Sequence, residues 1–156
     1  MDIFGKLRLR PSQLRTVSDR RFDDALCLLK TGENARANGA MYLGGFVVEC
    51  LLKAELLETY PWLQAYRPPR TMSGAEQRLW DLCYRRHDLD AILERLPSVK
   101  ARIENAERCG YPRILSSFKR VCGQWTVHAR YSPYCANVED ARAFLIYVKE
   151  VRQWLT

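Results

Sequence analysis

The chain has 156 residues, 47% apolar and 28% charged, ordinary globular usage that excludes a disordered chain and a miniature fold dependent on staples. Basic residues (25) outnumber acidic ones (18) for a net charge of +7. Of the 25, 19 are Arg and 6 Lys, a bias toward planar guanidinium forks that suit phosphate or carboxylate partners such as RNA.

The segment MDIFGKLRLR lacks the apolar core of a secretory signal, and the most apolar run, residues 40–57, contains Glu49, Lys53 and Glu55. Neither export nor a membrane span is expected, and the protein is read as cytoplasmic. The six cysteines form no C-x-x-C pair and stand at no ligand spacing from either histidine. Reduced thiols are therefore expected, with no metal site and no cofactor.

Periodicity is helical almost throughout, so one all-α domain is expected over residues 1–156, with its core at about 11–155. Pro11 opens a first helix whose Leu14, Val17, Phe22, Ala25 and Leu29 share a face, and Thr31-Gly32 stops it. A second, long helix runs from about Asn34 to Thr59, with Leu43, Phe46, Val47, Cys50, Leu51, Ala54 and Leu57 on its apolar face. Gly39, Gly44 and Gly45 weaken this helix and imply a close neighbour. Residues 60–72, rich in proline, form the clearest loop.

A third helix starts at Ser73, which forms a capping box with Glu76, and it breaks at His87-Asp88. Asp88 caps a short helix through Leu96, and Pro97-Ser98 opens another, ended by Cys109-Gly110. Ile114, Leu115, Phe118, Val121, Cys122 and Trp125 mark the next helix. Asn137 caps the last one, which buries Val138, Ala141, Phe144, Leu145, Val148, Val151 and Leu155. The expectation is an up-and-down bundle of four long helices with additional short ones.

Three motifs in this order, E-x-x-L-K at Glu49–Lys53, H-D-L at His87–Leu89 and W-x-x-x-x-R-Y at Trp125–Tyr131, resemble the HEPN superfamily, the higher eukaryotes and prokaryotes nucleotide-binding domain. The resemblance covers the chain from about Arg21 to Leu155. It implies a helical bundle, a homodimer, and a role in RNA or nucleotide biology, either as a toxin that cuts RNA without metal or as the partner of a nucleotidyltransferase. Cutting members carry Arg, then four to six residues, then His, so that a base stands near the ribose 2′-hydroxyl and a cation near the scissile phosphate.

Here those upstream positions hold Val121, Cys122 and Gly123, and the nearest upstream arginine is Arg120, with seven residues between it and His128. Eight helical steps separate the two by about 12 Å along the axis and about 80° around it, too far to grip one phosphate. The leading expectation is therefore a binding module associated with RNA or with a nucleotidyltransferase, within a toxin-antitoxin or defence system. The alternative is a metal-independent endoribonuclease using His128 with Arg120 or Arg130, and a third reading is a purely structural interaction protein.

Binding candidates are Arg130, Tyr131, Arg85, Arg86 and His87; for Tyr131 the competing reading is packing beneath the last helix. Glu49 and Lys53, four residues apart, are read as a structural ion pair that meets a basic group of another helix, Arg130 or His87. Asp88 is read as a cap. Trp62, Trp80, Ile146 and Trp154 are read as surplus apolar surface for a dimer.

Overall fold

The structure, a computed structural model, describes residues 9–65, 71–106, 108–111, 113–127, 131 and 136–156. Among them are seven α-helices and no strand: α1 (Pro11–Lys30), α2 (Asn34–Thr59), α3 (Gly74–Tyr84), α4 (Leu89–Leu93), α5 (Pro97–Asn105), α6 (Ile114–Gln124) and α7 (Val138–Leu155). The all-α bundle expected from periodicity is the observed architecture. Of the four helices expected to be long, α6 has only 11 residues, the same as α3. The proline-rich loop contains a 3-10 turn, Pro61–Gln64, that buries Leu63.

Local signals fix most boundaries. Pro11 starts α1, and Gly32, at φ +69°, turns the chain into α2. Ser73 and Glu76 form the capping box of α3, Asn137 and Asp140 that of α7, and Asp88 accepts the Ala91 N–H to cap α4. Helix α3 ends at Tyr84, earlier than the expected break, because Arg85 leaves the helical region with its N–H still bonded to the Asp81 carbonyl.

Packing follows chain order. Helices α1 and α2 form an antiparallel hairpin, with Ser18 Oγ donating to the Val47 carbonyl and Arg15 bridging Glu55 and Glu58. Helix α7 runs parallel to α2: Asn34 and Asn38 near the start of α2 accept the N–H groups of Val138 and Ala136, and Gly44 backs onto Phe144 and Leu145 farther along. Helix α6 returns antiparallel to α7, matching Ser117 with Glu150 and Arg120 with Tyr147. The four directions alternate, as the up-and-down expectation requires.

Helix α2 lies at the centre. Its expected apolar stripe widens to the whole circumference, since every residue from Val47 to Ala54 is buried, including Glu49 and Lys53. A Cβ on Gly44 would lie 2.6 Å from Leu145 Cδ2, and one on Gly45 would collide with the Trp125 indole. The two glycines thus admit two different neighbours, α7 and the end of α6.

The surplus apolar face expected for a dimer is smaller than the sequence implied. Trp80 is buried in this chain's own core and stacks on Tyr84, while Trp62 and Trp154 pack against that core. Of the four residues, Ile146 alone is exposed. No helix among the described residues is long and apolar enough to cross a membrane.

Candidate functional site

Glu49 is 2% exposed, and at that depth a lone carboxylate would be costly. Two groups offset the cost. Lys53, one turn along α2 and 7% exposed, places Nζ at 2.7 Å from Oε1. His87, between α3 and α4, places Nδ1 at 2.9 and 3.0 Å from the two carboxylate oxygens. Lys53 also donates to the Arg86 carbonyl at 3.0 Å, so both members of the helical pair grip the same turn. The pair therefore meets a basic group of another segment, as expected, and the partner is His87.

The imidazole is held on a second side. Its ring centroid lies 6.5 Å from that of Phe46, which continues through Tyr42 to Trp125 as a row of aromatic rings. Trp125 is anchored where it stacks, donating Nε1–H to the Tyr42 carbonyl at 3.0 Å. An ionised carboxylate only accepts hydrogen bonds, so Nδ1 of His87 carries a proton and donates it. Nε2 is then the ring atom left for other partners, and no described residue bonds to it. The His87 side chain is 37% exposed.

This turn forms one wall of a groove of about 450 Å³. Arg85, Arg86, His87 and Asp88 stand on one side; Cys122, Trp125, Thr126 and Val127 stand on the other. Of the groove's carboxylates, Asp88 caps α4, and Asp90 stands near enough to the Cys122 thiol for its charge to act on it. Burial and the neighbouring Asp90 push the Cys122 thiol well above its ordinary range, which keeps it protonated and unsuited to nucleophilic work. Arg85 forms an exposed 3.3 Å pair with Asp81, and Arg86 makes no ion pair with any described residue. Among the described residues, no group of three or more His, Cys, Asp or Glu could hold a metal ion.

No family model matches the chain, and neither the curated proteins nor the solved structures give a match.

The candidates divide by position. Arg85, Arg86, His87 and Asp88 line the groove, and Glu49 and Lys53 are buried behind His87. Arg120 does not line it: two steps from Cys122, it is turned about 200° around α6, with its guanidinium 5.6 Å from the centroid of the Tyr147 ring. Tyr131 is 71% exposed, which replaces the expected packing beneath the last helix. His128 and Arg130 lie outside the described residues. Sequence reasoning missed Phe46 and Tyr42 as groove supports, because on a helix heavy in apolar residues nothing marks which aromatic faces a histidine. It also missed Asn34 and Asn38, whose role depends on a helix start about a hundred residues away.

Proposed function

We propose that this chain is a HEPN-type helical module that binds RNA in the groove between the α3–α4 turn and the end of α6. One observation carries the reading. The three sequence motifs behind the resemblance, far apart in the chain, meet here: Glu49 and Lys53 beneath, His87 and Asp88 on one wall, and Trp125 on the other. Arg85 and Arg86, which line the groove together with Asp88 and Asp90, supply guanidinium donors of the kind that phosphate contacts use. In a cell such a module belongs with toxin-antitoxin or defence functions, alongside a nucleotidyltransferase partner. The homodimer that the resemblance implies is tested by light scattering at micromolar concentration.

The direct test is fluorescence anisotropy with labelled single-stranded RNA. The double variant Arg85→Ala, Arg86→Ala is expected to weaken binding at least about tenfold. It should also lower the salt slope by about 0.7 for each phosphate that the protein no longer neutralises. Unchanged affinity and slope would place RNA elsewhere. The RNA is expected to remain intact in EDTA; cleavage that His128→Ala abolishes would replace the binding reading with the endoribonuclease one.

A further inference from the structure

A second cavity, of about 510 Å³, opens at the other end of α6 from the groove, between the α5–α6 connection and the last turns of α7. Ile114, Trp154 and the exposed ring of Tyr111 give it apolar walls. Those walls are held in place. Ile114 is buried, and the Arg102 guanidinium lies 4.7 Å from the centroid of the Trp154 ring. The Tyr111 N–H donates to the Ala106 carbonyl at 2.9 Å, and the Tyr111 carbonyl accepts the Ile114 N–H at 3.2 Å.

Two opposite charges line the same cavity, and neither is fully engaged. Glu150 Oε2 accepts the hydroxyl of buried Ser117, which fixes the carboxylate. Glu150 Oε1 has Arg113 Nη1 at 3.8 Å, too long for a hydrogen bond. Oε1 and the exposed Arg113 side chain therefore keep their hydrogen-bonding capacity, since no described residue bonds to either. A lone anion in this place would meet Glu150, and a lone cation would meet Arg113. The complement is a ligand with both charges side by side and an apolar body. In an α-amino acid the ammonium and the carboxylate oxygens stand about 3 Å apart, close to the 3.8 Å between Oε1 and Nη1. The four groups can then alternate in sign around one small ring.

From this arrangement we infer that the cavity binds a free aromatic α-amino acid. Glu150 accepts hydrogen bonds from its ammonium, Arg113 donates to its carboxylate, and its ring packs against Ile114, Trp154 and Tyr111. Both polar contacts are charge-assisted, the stronger class of hydrogen bond, and aromatic rings favour one another as neighbours beyond the area they bury. A residue inside a peptide lacks the paired charges and is excluded. The site is separate from the groove and does not rest on the RNA-binding reading.

The test titrates the intact chain with L-phenylalanine and L-tryptophan by ligand-observed NMR, beside 3-phenylpropionate, which lacks the ammonium, and 2-phenylethylamine, which lacks the carboxylate. At least one of the amino acids is expected to bind with a dissociation constant of about 1 mM or tighter, within reach of a ligand of about a dozen non-hydrogen atoms. Both analogues should bind at least about tenfold more weakly. Arg113→Ala should weaken the amino acid about tenfold and leave 2-phenylethylamine no weaker; Glu150→Gln should weaken the amino acid likewise and leave 3-phenylpropionate no weaker. Circular dichroism checks each variant, and if Glu150→Gln fails to fold, Arg113→Ala alone decides. Failure of both amino acids to bind, an analogue bound as tightly as the amino acid, or an affinity unchanged in Arg113→Ala overturns the inference.

Discussion

Glu49 and His87, on different helical segments, form a two-oxygen contact at 2.9 and 3.0 Å, with Lys53 completing the carboxylate's surroundings at 2.7 Å. A carboxylate so deeply buried depends on both partners, and each depends on it. Glu49→Ala strands the buried ammonium of Lys53 and is expected to cost about 3 kcal/mol. For a chain of this size that lowers the melting temperature by about 6–12 °C. The joint replacement Glu49→Leu, Lys53→Met removes both charges and should recover most of the stability. Thermal denaturation of the three proteins checks this, and an unchanged melting temperature in Glu49→Ala would mean that the pair is not structural.

Three glycines give a graded test of packing. Gly45→Ala should displace the Trp125 indole, changing its fluorescence and loosening the groove wall, because the new methyl would occupy the ring's space. Gly44→Ala would meet Leu145 Cδ2 at 2.6 Å, the far end of a flexible side chain that can move aside, and should cost less. Gly123 in α6 has nothing within 4 Å of the added Cβ, so Gly123→Ala should stabilise by about 0.5–1 kcal/mol through helix propensity. Melting temperatures that rise in that order would agree with the packing around each glycine.

The thiols should separate by reactivity. Burial pushes Cys50 from 9.0 up to about 12 and Cys83 from 9.0 up to about 11, and Cys122 is raised as well, whereas Cys27 and Cys109 are exposed. At neutral pH, maleimide followed by peptide mass spectrometry should label Cys27 and Cys109 rapidly and spare Cys50, Cys83 and Cys122. Labelling of Cys50 in the folded protein would contradict its burial inside α2.

The same groups set an alkaline limit. Tyr84, whose hydroxyl donates to the Leu63 carbonyl, is raised by burial from 10.0 to about 12. Each of these groups loses its proton in the unfolded chain before it does so in the folded one. Between pH 9 and about 12 the unfolded state therefore binds fewer protons, and stability falls as pH rises. Melting temperatures are expected to be level through neutrality and to decline steadily above pH 9. A flat profile to pH 11 would exclude the buried thiols and phenol as linked groups.

Helix starts and caps were legible because their chemistry is local, whereas the ends expected at Leu96 and at Cys109-Gly110 fall earlier, at Leu93 and Asn105. Pro11, Gly32, Ser73 with Glu76, Asp88 and Asn137 act on backbone groups within four residues, and each stands where that logic put it. The all-α architecture followed, since short connections and helical periodicity leave few other arrangements. The sequence also marked Glu49 and Lys53 as a helical pair and the glycines of α2 as points of close approach. The tertiary structure alone decided that a partner of Glu49 is His87, 38 residues away. It also decided that Gly44 and Gly45 receive different neighbours, that Trp80 belongs to the core, and that Arg120 turns toward Tyr147, away from the groove. Those outcomes depend on how helices cross and how deeply each face is covered, which are properties of packing between distant segments and leave no periodic trace in either segment alone.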